Sequence, residues 1–475
     1  MKNIIISLLA APFILMGTTA CNEIVEQGTV PFEQWKADKE RGYAYTVYSL
    51  EHPCVIHTQS DIDYVKQHIS QEPWASAFNY LKNSQYANTG WNANPVEYLA
   101  RLDATNWGSN NTRWEAAGIS HLWYEGIHNN YTNFMRDAAA AYQQALLFQL
   151  ENNTQAAENS IKIMKAWADK NKGFIRNAKT GELVDPNEKL ILFQPYQMAA
   201  AAEMLRDYNN WSGTDDFKKV VNWLHDTFYP VAHEQLNMHL TDPNHTWLNW
   251  DLAALTTMLS IGVLTENQDE INEAIMYFKG DGLGPGNITK GCVEVFDDPD
   301  SDEVIGQCNE LGRDQGHNAL CAVLTGIFCK MGLALGDDLF AYNDYRALVM
   351  AEYTAKYNLP TAAVMANLDK SSTNRSFDVS SGDNAFQYKH ETFPFTTFTY
   401  SGQTMTEPSK DGRGNLRPGW DYFVGYANTH GVANKIAYIS AMGEGIRPDN
   451  GCGYYGTASG GFDQIGWGTL MGYKE

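Results

Sequence analysis

Residues 133–150 read NFMRDAAAAYQQALLFQL, and Phe134, Ala138, Ala141, Ala145 and Phe148 recur in it at intervals of three and four. That spacing lays the apolar side chains along one face of an α-helix; a strand would alternate them instead. The pattern returns at 155–168, with Ile161, Met164 and Trp167, and then at 190–208, 216–228, 246–263, 268–278, 314–331 and 341–357. Short connectors of Asn, Asp, Gly and Pro, such as Asn209-Asn210 and Gly280-Asp281-Gly282, separate these stretches. Many helices with short links favour antiparallel helix pairs.

Beyond residue 360 the pattern loosens. Residues 371–383 and 400–414 are polar and rich in Gly and Ser, and between them 391–400 is β-branched and aromatic, as a strand or hairpin arm would be. One more helix is expected at about 420–442, before a Gly-rich tail over 451–472. No linker divides these parts, so the chain reads as a polar leader over 21–50 and one all-α domain over 51–475. A small irregular or β-containing C-terminal part closes it.

The chain has 475 residues, 44% hydrophobic, 12% aromatic and 19% charged, which excludes a disordered protein. Against 34 Lys and Arg stand 56 Asp and Glu, a net charge of −22. Such a field repels polyanions, so nucleic acid is not an expected partner, and any anionic ligand must be caught in a locally basic cleft.

At the N-terminus, Lys2 precedes an apolar run over 4–16 and the small residues Gly17, Thr18, Thr19 and Ala20. The run is too short to span a bilayer and reads as a signal peptide over 1–20. Cys21 follows as in a bacterial lipobox, although Thr18 stands where Leu is usual, and is the expected lipidation site. An exported chain is expected, in the periplasm or as an outer-membrane lipoprotein of a Gram-negative bacterium. Its only membrane contact would be that anchor, and the expected state is a monomer. The six other cysteines, Cys54, Cys292, Cys308, Cys321, Cys329 and Cys452, permit disulfides without choosing a pairing.

Two segments carry chemistry. In Asn244-His245-Thr246-Trp247-Leu248-Asn249-Trp250-Asp251, His245 and Asn249 are four apart and would share a helix face if the helix began early enough. In Glu310-Leu311-Gly312-Arg313-Asp314-Gln315-Gly316-His317, Arg313 and His317 have the same spacing. Imidazole exchanges a proton near neutral pH, an amide hydrogen-bonds a carboxyl group, and Arg grips a carboxylate with two parallel bonds. Together they suit removal of a proton beside a carboxylate, the demanding step of β-elimination at a uronic acid. Side chains at these places also commonly brace helix ends.

His52-Pro53 with Asp61 and Asp63, Pro73-Trp74, the two segments above, Arg417-Pro418-Gly419-Trp420 and Phe462-Asp463-Gln464-Ile465-Gly466 occur in order. This set resembles the alginate-lyase superfamily of polysaccharide lyases, nearer to polysaccharide lyase family 38 than to family 5. The resemblance covers about residues 50–475 and implies an (α/α) toroid, or incomplete barrel, of helical hairpins around a groove for an acidic polysaccharide. It further implies metal-independent β-elimination, with Asn244, His245 and Arg313 matching the family 5 groups that meet the carboxylate and share in proton abstraction. Family 5 enzymes carry a catalytic Tyr seven residues after that Arg; here Leu320 stands there. The proton donor is then His317, three residues before Leu320, or a Tyr from elsewhere such as Tyr400 or Tyr426.

Trp247, Trp250, Trp420 and Tyr422 are candidates for stacking on sugar rings, and Lys389, His390, Arg413 and Arg417 form a basic cluster in an otherwise acidic region. No dense ligand set stands at metal spacing, so neither metal nor cofactor is expected. Asp298, Asp300 and Asp302 begin like a calcium loop, yet no Gly stands sixth and Asn309 stands twelfth. The leading expectation is an exported lyase cleaving a 1,4-linked uronan, alginate or glucuronan. The alternatives are a hydrolase using two carboxylates among Asp251, Glu310 and Asp314, and a non-catalytic surface glycan-binding lipoprotein.

Overall fold

The computed structural model describes residues 45–102, 112–124, 129–280, 282–371, 377, 379–380, 382–453 and 461–475. The expected signal peptide and Cys21 lie outside them. In chain order the main helices are α1 (Gln59–His68), α2 (Trp74–Asn83), α3 (Tyr131–Glu151), α4 (Thr154–Lys170), α5 (Pro195–Met204), α6 (Asp215–Asn237) and α7 (Leu248–Leu264). There follow α8 (Gln268–Lys279), α9 (Gln315–Ala334), α10 (Tyr342–Asn358), α11 (Asp421–His430), α12 (Ala437–Ile446) and α13 (Gly468–Met471).

The α3–α4 pair shows how local sequence makes the hairpins. Asn152 adopts the left-handed conformation, φ 57°, that ends α3, and the side chain of Asn153 accepts the N–H of Ala156 to start α4. Along α3, Phe134, Ala138, Ala141 and Ala145 are fully buried, and the small alanines let neighbouring helices approach closely.

Helices α3, α5, α7, α9 and α11 pack one against the next as an inner wall, while α4, α6, α8, α10 and α12 lie outside, each against an inner helix beside it. The ring closes through the two ends of the described chain: α13 packs on α11, α1 and α2, and α1 and α2 pack on α3. Trp74 meets Tyr473 at 5.2 Å, and Asp61 accepts Lys474 and, from α9, Lys330, both at 2.7 Å. This is the helical toroid. One buried apolar cluster runs from Tyr48 to Met471. Inner helix α7 is buried at every residue except Trp250, and α9 buries Val323, Leu324, Ile327, Phe328 and Met331, each stabilising by roughly 1.5–3 kcal/mol. By length and composition α9 could cross a membrane, but its apolar residues are buried inside the ring, the setting of a core helix.

Several boundaries differ from the sequence expectation. Helix α6 runs through Pro230, because burial of Val231, Ala232 and Leu236 beyond it outweighs the lost hydrogen bond, about 3 kcal/mol. The stretch 190–208 divides into a 3-10 segment, Pro186–Phe193, and α5, which starts at Pro195, where a missing N–H costs nothing. The single helix expected at 420–442 is two, because Gly431 at φ 71° ends α11. A hairpin of β1 (Cys292–Asp297) and β2 (Val304–Cys308) was not foreseen, and the expected C-terminal strand is short: β3 (Phe398–Tyr400) paired with β4 (Gln403–Met405). All six described cysteines are buried free thiols.

Candidate active site

A cleft of about 800 Å³ opens where the inner helices begin. Tyr131 is the first residue of α3, Phe193 lies just before α5, Asn249 is in the first turn of α7, Gly316 and His317 are in the first turn of α9, and Arg417 lies just before α11. Helix starts carry partial positive charge, so the architecture points several of them at one space. Arg101, Arg313, Arg417 and His317 line it against Asp314 and Asp463, a basic excess within an acidic protein.

Asp314 caps α9. One of its oxygens accepts the N–H of His317 at 2.9 Å and the other accepts Nδ1–H of the same residue at 2.6 Å. That bond selects the tautomer whose lone pair is on Nε2, and no described residue hydrogen-bonds Nε2. Burial pulls the Asp314 carboxyl upward, but the hydrogen bonds from His317, with Arg313 beside it, hold it below the usual carboxylate range. The pair is therefore an oriented base with its counter-ion.

Arg313 donates to Glu310 at 2.8 Å, and its guanidinium lies 4.9 Å over the ring of Trp247. The other Glu310 oxygen accepts the N–H of Asn249 at 2.8 Å and the thiol of Cys321 at 3.1 Å. The Asn249 amide lines the cleft almost wholly buried, and its Oδ1 has no hydrogen-bond partner among the described residues. A buried polar atom without a partner is rare, and here it belongs to a residue of the cleft wall. Across the cleft, Arg417 donates to the Gly316 carbonyl at 3.1 Å and to Asp463 at 2.8 Å. Asp463 is held there by the tail, whose Gly461 and Phe462 carbonyls accept the amides of Gln194 and Gln197.

Asn249, Arg313, His317 and Arg417 thus come together, with Leu320 and Trp250 in the same wall. Others of the sequence candidates do not join them. Asn244 and His245 belong to a loop, not to α7: an Asp242-centred turn, accepting the N–H groups of both, follows Pro243 around, and the helix begins at Leu248. His245 is absent from the cleft lining, and burial, with Lys189 and His239 nearby, lowers its pKa. The Tyr400 hydroxyl bonds to the Pro243 and Thr246 carbonyls and so braces that loop, and burial pushes its pKa up. Trp420 is enclosed in the core and Trp247 is buried beneath Arg313, so neither offers a face to sugar. His390 is buried between Tyr357 and Glu407, Arg413 is paired with Asp383, and Lys389 is exposed outside the cleft. Tyr426 donates to Asp338, away from the cleft.

Sequence reading missed Arg101, Asn129, Tyr131, Asn187 and Asn415, which no local motif marks. Asp463 lay within a quoted segment without a role.

Two other groups are closed networks. His52, Cys54 and Glu203 place donor atoms within 4.8 Å of one another, but Glu203 already accepts His52, the Cys54 N–H and Arg206, and burial pushes the Cys54 thiol up to about 12. The Asp298–Asp302 loop is gathered on the ammonium of Lys356, which pairs with Asp298 and Asp300.

No protein-family model matches the chain, and no curated protein matches its sequence. Among solved structures it is similar to alginate lyase A1-III from Sphingomonas species A1, at 15% identity and a TM-score of 0.45 over 90% of this chain and 100% of that one. A variant of that enzyme complexed with a tetrasaccharide aligns at 12% identity and a TM-score of 0.47, over 90% and 99%. An alginate lyase from Bacteroides ovatus aligns at 13% identity and 0.43, over 65% and 84%.

Proposed function

We propose that this protein is an exported polysaccharide lyase that cleaves a 1,4-linked uronan, alginate or glucuronan, by β-elimination. The observation that carries the reading is one cleft in which Arg313, Arg417 and the open Asn249 amide face the Asp314–His317 pair. The guanidinium groups, and the Nδ2–H donors of the Asn249 amide, suit a C6 carboxylate. Neutralising it lowers the cost of the enolate-like charge that develops when the C5 proton leaves, an effect worth about 3 kcal/mol per buried donor. His317, its Nδ1 held by Asp314, takes the C5 proton on Nε2. The electron pair forms the C4–C5 double bond and the C4–O4 bond breaks. The role given to His245 by resemblance passes to His317, because His317 is the imidazole among the described residues that line the cleft. Export, with lipidation at Cys21, is supported by the apolar leader that ends in Gly17, Thr18, Thr19 and Ala20.

The hydrolase alternative fits less well. Asp251 is buried against His239, and Glu310 is buried against Arg313, so of the three candidate carboxylates only Asp314 reaches the cleft. Its lowered pKa is the opposite of what a general acid needs.

The test is purified protein incubated with polymannuronate, polyguluronate, glucuronan and a neutral glycan. Ultraviolet-absorbing unsaturated ends on a uronan support the lyase. Reducing ends without that absorbance identify a hydrolase, and binding without turnover identifies a glycan-binding protein.

A further inference from the structure

Resting on the lyase reading, we propose that Tyr131 is a catalytic residue: the acid that protonates the departing O4, with Arg101 as the cation that stabilises the phenolate left behind. With His317 holding the C5 proton, a separate acid at O4 would let both bonds change together, and Leu320 supplies none. Tyr400 and Tyr426 are committed elsewhere. Among the described residues lining the cleft, Tyr131 is the tyrosine.

Its placement is built, not incidental. The segment carrying Arg101 is stitched to the start of α3 on both sides: the Ala100 N–H donates to the Asn130 side chain at 2.9 Å and the Leu102 N–H to that of Asn129 at 2.6 Å. Asn129 and Asn130 return their amides to the Leu102 and Tyr98 carbonyls, and the Ala100 carbonyl accepts the N–H groups of Asn130 and Tyr131. These bonds hold the Arg101 guanidinium 4.7 Å over the Tyr131 ring. Arg101 is only 9% exposed, so little water screens its charge. A fixed cation beside a phenol makes it a stronger acid without needing any other group to move.

The proton balance closes. His317 Nε2 gains the C5 proton, the C5 electron pair becomes the C4–C5 double bond, and the C4–O4 pair leaves on O4. O4 takes the phenolic proton of Tyr131. The imidazolium then loses its proton and the phenolate regains one, through water, and the site is reset.

The test compares wild type with Tyr131→Phe on uronan polymer and on a uronide carrying fluoride at C4, a leaving group that needs no proton. On polymer, kcat should fall by about 100-fold or more with KM little changed and the circular dichroism spectrum retained. On the fluoride the variant should recover most of its rate. In Arg101→Ala the alkaline limb of kcat/KM should move to higher pH, because the phenol then holds its proton more tightly, whereas Arg101→Lys, which keeps a cation, should move it less. Tyr131→Phe within about threefold of wild type on polymer, or impaired equally on both substrates, overturns the role. Wild type that forms no unsaturated ends on any uronan overturns instead the lyase reading beneath it.

Discussion

Glu310 binds Arg313 through one oxygen and the backbone N–H of Asn249 through the other, each at 2.8 Å, from a position with no solvent exposure. One carboxylate therefore sets the guanidinium and caps the start of α7 beside the amide that line the same wall. Glu310→Gln keeps the shape but loses the charge, so Arg313 should be less firmly held. The expected result is a rise of about tenfold in KM for uronan, with a smaller change in kcat, in steady-state assays on oligomers of fixed length. An unchanged KM would show that Arg313 is positioned without it.

Arg313→Lys keeps a positive charge but not the planar fork, and it also loses the stack on Trp247. Turnover of uronan should drop by at least about tenfold while the helical circular dichroism signal remains. A fully active variant would reduce Arg313 to a brace for Glu310.

Asp314→Asn retains an acceptor for the His317 N–H, so α9 should start normally, but it no longer offers a carboxylate to Nδ1. We expect kcat to fall by about tenfold or more with thermal unfolding nearly unchanged. Loss of activity that tracks loss of folded protein would speak for the cap alone.

Asp61 ties α1 to Lys330 and Lys474. Burial by itself would raise its carboxyl, but the two ammonium groups outweigh that and hold it far below the usual range. The unfolded chain therefore takes up the proton more readily, so the pair's stabilisation is whole above about pH 4 and drains as pH falls toward the folded value. Asp61→Asn should cost about 3–5 kcal/mol at neutral pH and flatten the acid side of the stability profile. Urea unfolding across that range is the check; wild-type stability at neutral pH would remove Asp61 as a tie.

Long-range repulsion between a chain of net charge −22 and a polyanion should slow encounter at low salt. At 0.15 M salt the screening length is ~8 Å, which damps that repulsion more than contacts with Arg313 and Arg417 inside the cleft. The value of kcat/KM on long uronan should rise from very low to moderate salt and then fall. A steady fall from the lowest salt would mean that a basic surface governs association.

The helices were legible in the sequence because three- and four-residue spacing is a local property: α7, α8, α9 and α10 begin and end within a few residues of the stretches read from their apolar pattern. Arg313, Asp314 and His317 were legible for the same reason, being neighbours on one helix start. Tertiary structure decided the rest. It buried Trp420 and Trp247, engaged Tyr400 and His390, and by turning the chain at Asp242 left His245 in a loop while His317 lines the cleft. It also brought Arg101, Tyr131 and Asp463 to the cleft, because a ring that closes through the two ends of the described chain assembles its mouth from segments far apart in sequence. Burial and long-range pairing, such as Glu310 capping Asn249 from 61 residues away, have no local spacing by which a sequence could announce them.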